Sequence, residues 1–155
     1  MKNITVLGST GSIGIQTLRI ISNMKEEFNL IGISANKNVG LLIEQAKLYK
    51  PKYVCLADDS NKDVLLDSLD SKQYKILIGR SGLLELSQNN DANIILNALV
   101  GADGMEPTIN AITSGIDVAL SNKESLVMAG SIINKQLKIH NVNLYPVDSE
   151  HSAIW

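Results

Sequence analysis

Short apolar runs alternate with stretches of helical periodicity along the whole of this chain, and that alternation leaves few folds open. Strands are predicted at about 3–8, 28–34, 52–57, 74–78, 93–97, 117–120 and 143–147. Helices are predicted between them, at about 12–24, 39–49, 61–69, 80–88, 105–114 and 124–138. A run such as Ile94-Ile95-Leu96 is apolar on both sides of the strand, which suits a sheet whose two faces are both covered. In the helix at 39–49, Val39, Leu42, Ile43 and Ala46 share one face, and Pro51 stops the helix before the next strand. With no repeat, low-complexity tract or flexible linker, one domain is the natural count.

The first strand, Ile4 to Leu7, enters its helix through Gly8, Gly11 and Gly14, and Ile13, Thr17, Leu18 and Ile21 then recur at helical spacing. A strand feeding a helix through glycine leaves backbone N–H groups aimed at an anion. Gly8 suits the tight turn, Gly11 the close approach of a diphosphate, and Gly14 the packing of helix on strand. The usual fingerprint is G-x-G-x-x-G; here Ser9 and Thr10 both separate the first pair, and their hydroxyls are additional donors. An ordinary strand-to-helix turn is the plainer alternative. The fold class this predicts is α/β: a doubly wound, mostly parallel, Rossmann-like sheet with helices on both faces.

In NAD-binding folds of this kind an acid about 20 residues beyond the glycines usually accepts from the ribose hydroxyls. The second strand instead runs through Ser34 into Ala35-Asn36-Lys37-Asn38, without an acid. That set suits the 2′-phosphate of NADP, with Lys37 as counter-charge and Ser34, Asn36 and Asn38 as hydrogen-bond partners. Two plainer readings stay open: Lys37 as a solvated loop charge, and Asn38 as the cap of the next helix.

With 155 residues, 45% hydrophobic, and a net charge of −2, the chain has material for one sizeable core and no basic excess to attract nucleic acid. The single cysteine, Cys55, lies in the apolar run Tyr53 to Ala57 and reads as a core residue. No apolar run is long enough to span a bilayer, and the first strand begins almost at once, so a cytoplasmic location is expected.

Two later clusters carry chemistry. Val118 to Leu120 lead into Ser121-Asn122-Lys123-Glu124-Ser125 at a helix start. Asn122 is a suitable cap and Glu124 suits the helix dipole, whereas Lys123 opposes it and is better explained by an anionic ligand or a carboxylate. The last strand ends in Pro146-Val147-Asp148-Ser149-Glu150-His151. On extended backbone Asp148 and Glu150 share a side and offer two hard oxygen ligands for Mg²⁺ or Mn²⁺. Equally, Asp148 or Ser149 caps a helix in whose first turn Glu150 sits.

Taken together, G-S-T-G-S-I-G at 8–14, N-K-N at 36–38, N-K-E-S-L at 122–126 and P-V-D-S-E-H-S-A-I at 146–154 closely resemble the 1-deoxy-D-xylulose 5-phosphate reductoisomerase family, in order and in spacing. The resemblance implies an NADPH-binding domain over 1–147 and the start of a catalytic domain at 148–155, in a family whose chains continue well beyond this one. It implies that Thr10, Gly11, Ser12 and Ile13 hold the cofactor phosphates, that Lys37 and Asn38 serve the adenosine ribose phosphate, beside an Asn36 that stands where the family often has glycine, and that Asn122 and Glu124 contact the cofactor farther along. It implies that Lys123 and Ser149 contact a sugar-phosphate substrate and that Asp148 and Glu150 ligate a divalent cation, Mg²⁺ or Mn²⁺, so that Lys123, Ser149 and Glu150 form the catalytic set. The implied reaction of the full-length enzyme, a homodimer, is NADPH-dependent conversion of 1-deoxy-D-xylulose 5-phosphate to 2-C-methyl-D-erythritol 4-phosphate in isoprenoid precursor synthesis. No nucleic-acid or membrane partner is implied, and the present chain alone is expected to bind cofactor without turnover. Competing expectations are a stand-alone NADP-sensing module and another NADP-linked reductase, such as a semialdehyde dehydrogenase, which relies on a catalytic cysteine.

Overall fold

The computed structural model describes residues 1–121 and 123–147. They form seven strands: β1 (Lys2–Leu7), β2 (Phe28–Ala35), β3 (Tyr53–Leu56), β4 (Lys75–Ile78), β5 (Ile94–Asn97), β6 (Asp117–Leu120) and β7 (Leu144–Pro146). Between them lie six α-helices: α1 (Ser12–Asn23), α2 (Val39–Tyr49), α3 (Lys62–Ser68), α4 (Gly79–Ser87), α5 (Met105–Thr113) and α6 (Lys123–His140). Every element expected from periodicity is present, with ends that differ by a few residues. Two short 3-10 turns, Asp59–Asn61 and Gly101–Gly104, were not anticipated, and α6 is interrupted at Ala129, where φ is −137° and ψ is 20°.

The strands lie in the order β4-β3-β2-β1-β5-β6-β7, and every pair is parallel. The chain therefore winds outward from β1 to β4, returns, and winds the other way from β5 to β7. The two faces follow from strand parity. Ile4, Val6, Ile33, Val54 and Leu56 pack with Leu18, Ile21, Leu42 and Leu65 of α1, α2 and α3. Leu7, Tyr53, Cys55, Ile95 and Val118 pack with Leu83, Leu86, Ile112 and Ile133 of α4, α5 and α6. All four residues of β3 are buried, the pattern of a strand covered on both sides. The winding direction reverses between β1 and β5, so the loops after these neighbouring strands diverge and leave a crevice at the carboxyl edge of the sheet.

Candidate functional site

The loop from β1 to α1 is held by close approach of its own backbone. Gly8 takes φ +82°, a left-handed conformation, and a Cβ there would lie 2.8 Å from the Ala98 carbonyl oxygen. At Gly14 a Cβ would lie 2.3 Å from the Gly8 carbonyl oxygen and 2.6 Å from Ser9 Cα. Gly11 differs: its φ of −79° suits any residue, and a Cβ would meet only the Gly8 carbonyl oxygen, at 3.4 Å. Gly11 is also the N-cap of α1 and has no side chain to cap it, so the first-turn amides of Ser12 and Ile13 are left to a ligand or to water.

Ser12 and Ile13 lie at the crevice. Gly8, Thr10 and Gly11 line a hollow of about 310 Å³ that extends past Ala35 and Asn36 at the end of β2 and Ala98 to Val100 after β5. A second hollow, of about 190 Å³, shares Gly11 and the 98–100 wall with the first and continues past Ser12 and Ile13 to Ser121 and Glu124. One groove thus joins the glycine loop to the end of β2 on one side and to the start of α6 on the other. Its 98–100 wall is set by Asn97, fully buried, whose Nδ2 donates to the Gly104 carbonyl and to Thr108 Oγ1 at 2.8 Å each, and whose Oδ1 accepts from Leu99 N–H at 3.1 Å.

Most expected site residues lie along this groove or beside it. Asn36, Lys37 and Asn38 are exposed at the end of β2. Lys37 Nζ lies 3.8 Å from Asp58 Oδ2. The Asp58 carboxyl is held below the usual carboxylate range, first by hydrogen bonds from the Ser60 hydroxyl and amide and then by the Lys37 charge. Asn38 does cap α2: its Oδ1 accepts from Leu41 N–H at 3.2 Å. Lys123 and Glu124 are exposed in the first turn of α6. Asn122, Asp148, Ser149 and Glu150 lie outside the described residues. Among the described residues no group of three His, Cys, Asp or Glu side chains is placed to hold a metal ion.

Two expectations are corrected. The sequence suggests Ser34 as a phosphate partner and Ser9 as a donor to the ligand, yet both are fully buried. Ser34 Oγ accepts from Gly8 N–H at 3.1 Å, and Ser9 Oγ points to Gln45 Oε1 at 2.7 Å and to the Ser34 carbonyl at 3.1 Å. Both hydroxyls hold the loop instead of extending from it. Cys55 is fully buried, as expected, and burial pushes its thiol up to about 12, which removes it as a nucleophile.

Three contributors escaped the sequence reading. Asn97 and Gln45 are buried polar residues that shape the groove from beneath. Arg80 lines the first hollow, with Nη1 donating to the Asp103 carbonyl at 3.0 Å and Nη2 paired with Glu106 Oε2 at 2.8 Å. Only Gln45 had a readable signal, a polar side chain three residues after Leu42 on the buried face of α2.

Strand order, reversal point and uncapped glycine turn define a Rossmann-like α/β domain. The family model for 1-deoxy-D-xylulose 5-phosphate reductoisomerase matches residues 4–130. A reductoisomerase of that name from Clostridium botulinum (strain Loch Maree / Type A3) is 48% identical over all of this chain, which spans 41% of that relative. The Zymomonas mobilis enzyme, solved in complex with NADPH, superposes with a TM-score of 0.91 at 37% identity, over 97% of this chain and 39% of that one. A further enzyme of this kind, solved with NADPH, fosmidomycin and magnesium, gives 0.91 at 33% identity, over 97% of this chain and 37% of that one. The chain belongs to the 1-deoxy-D-xylulose 5-phosphate reductoisomerase family.

Proposed function

We propose that this chain forms the NADPH-binding part of an enzyme converting 1-deoxy-D-xylulose 5-phosphate to 2-C-methyl-D-erythritol 4-phosphate, with the domain over 1–147 and the catalytic part beginning at 148. The observation that carries this reading is the uncapped first turn of α1 opening onto a groove that reaches Asn36 at one end and Glu124 at the other. A dinucleotide fits that chemistry. The amides of Ser12 and Ile13, with the Thr10 hydroxyl and the close approach that Gly11 allows, bind the diphosphate; Asn36, Lys37 and Asn38 bind the 2′-phosphate; Asn122 and Glu124 contact the cofactor farther along. NADPH supplies the hydride when bound.

Val147 N–H donates to the Leu120 carbonyl at 2.9 Å, which ties the end of β7 to the end of β6, three residues before Lys123. Asp148 and Glu150 are hard oxygen donors of the kind that hold Mg²⁺ or Mn²⁺. Lys123 and Ser149 orient the sugar phosphate, and the Lys123 ammonium offsets negative charge that develops on its oxygens. The zymomonad and fosmidomycin complexes support the choice of cofactor, metal and ligand class by kinship. A cytoplasmic homodimer as the full-length enzyme belongs to the same reading, supported by the family resemblance. No helix among the described residues is long and apolar enough to cross a membrane.

Fluorescence titration of the purified chain tests it. NADPH binding tighter than NADH by about tenfold or more is expected, since a charge-assisted phosphate contact contributes on the order of 1.5–3 kcal/mol. Equal affinity, or no binding by a folded chain, rejects it. Substrate-dependent NADPH oxidation by this chain alone contradicts the accompanying expectation that a polypeptide spanning 41% of its relative binds cofactor without turnover.

A further inference from the structure

The glycine loop does not rest on apolar packing alone. Beneath it, Gln45 of α2 is 5% exposed, and Ser9 and Ser34 are wholly buried. Gln45 Nε2 donates to the Ser9 carbonyl at 2.9 Å, and Gln45 Oε1 accepts from Ser9 Oγ at 2.7 Å, so one amide takes both the backbone and the side chain of Ser9. Ser9 N–H donates to the Ser34 carbonyl at 2.8 Å, and Gly8 N–H to Ser34 Oγ at 3.1 Å. Three pieces meet here: the glycine loop, the end of β2, and the middle of α2. The residues before α2 are Asn36, Lys37 and Asn38, and Asn38 is fixed to α2 by its capping bond. The Gln45 amide is therefore a strut between the loop that carries the diphosphate amides and the helix that follows directly on the 2′-phosphate side chains.

We propose that Gln45 is a positioning residue for the cofactor, setting the spacing between the diphosphate subsite at Gly11–Ile13 and the 2′-phosphate subsite at Asn36–Asn38, and that it thereby contributes to preference for NADPH over NADH. This rests on the cofactor reading above. A ligand that spans both subsites feels their spacing, and a ligand that occupies one does not. NADPH spans both. NADH lacks the 2′-phosphate, so of these two subsites it makes charge-assisted contact only with the diphosphate amides, and adenosine 2′-monophosphate makes it only with the second. Replacing Gln45 alone leaves the buried Ser9 carbonyl without its donor, so some loss of stability accompanies any effect on binding and has to be read separately. Gln45 is a poor choice for packing and a good one for holding Ser9 in place.

The test is titration of Gln45→Met with NADPH, NADH and adenosine 2′-monophosphate, with thermal unfolding in parallel. The expected result is a loss of about tenfold for NADPH and of about twofold or less for the two single-subsite ligands, so that the NADPH-to-NADH ratio collapses. A folded variant that keeps the wild-type ratio overturns the proposal, as does an equal loss for all three ligands, which marks general loosening. Should Gln45→Met fail to fold, Ser9→Ala decides in its place. It removes the hydroxyl while leaving the Gln45 bond to the Ser9 carbonyl, and the same selective loss is expected at about threefold. Wild-type protein that does not bind NADPH at all removes the cofactor reading and this proposal together, an outcome distinct from a change confined to the variants.

Discussion

Two helix N-termini flank the groove, and they handle their loose amides in opposite ways. At α1 the cap is Gly11, which has no side chain, and the first-turn N–H groups are open. At α2 the cap is Asn38, whose Oδ1 already accepts from Leu41 N–H. The open end offers a backbone cradle that binds an anion by dipole and amide. The closed end has satisfied one of its own donors, so an anion there depends more heavily on the Lys37 side chain. A diphosphate needs shape and a terminal phosphate needs charge, and the two ends divide those needs.

The largest break in that comparison comes from Gly14→Ala. The new methyl would lie 2.3 Å from the Gly8 carbonyl oxygen and 2.6 Å from Ser9 Cα, backbone atoms that the strut under Ser9 prevents from yielding. Destabilisation of about 3 kcal/mol or more is expected by chemical denaturation, with cofactor binding lost alongside. Gly11→Ala separates the two effects. Its backbone suits alanine and its Cβ finds space, so the unfolding midpoint stays near wild type while NADPH affinity falls about tenfold, about 1.4 kcal/mol, because the methyl occupies the ligand's approach. An unchanged affinity would show that Gly11 is not at the diphosphate.

At the closed end, Lys37→Ala is expected to weaken NADPH by about tenfold and leave NADH unchanged, by direct titration of both. Equal losses for the two cofactors would mean that Lys37 serves the groove as a whole and that the division between the ends is wrong.

How far this was readable depends on whether a residue acts through period or through direction. Periodicity placed all seven strands and six helices, because alternate burial across the sheet leaves its mark in the apolar residues themselves. Strand order left no such mark, and the reversal between β1 and β5 followed from the fold class. Ser34 and Asn38 show the limit within the site. Both are polar residues near the end of β2 that suit a ligand, but only Asn38 carries a second reading, as the cap of α2, which its bond from Leu41 N–H bears out; nothing in the sequence shows that Ser34 turns back to Gly8 N–H. Asn97 and Arg80 were invisible for a related reason: each acts on a main-chain group 7 or 23 residues farther along the chain, a separation set by tertiary packing.

The smallest effect sharpens the role of charge at the closed end. Asp58 stands 3.8 Å from Lys37, competing with any phosphate for that ammonium, and its carboxyl also accepts from Ser60 N–H at 2.9 Å. Asp58→Asn keeps an acceptor for Ser60 and removes the charge, so the fold is expected to be nearly unaffected while NADPH tightens by about twofold, the modest change proper to an exposed pair. The sign with pH follows. The carboxyl is depressed in the folded chain, so its contribution to stability is present above the ordinary carboxylate range and is lost as pH falls through the depressed value. In that same fall Lys37 is released, so the NADPH advantage of Asp58→Asn over wild type should shrink toward acid. An advantage that persists after Asp58 has protonated would mean that the aspartate acts through the 3-10 turn at 59–61 and not through its charge.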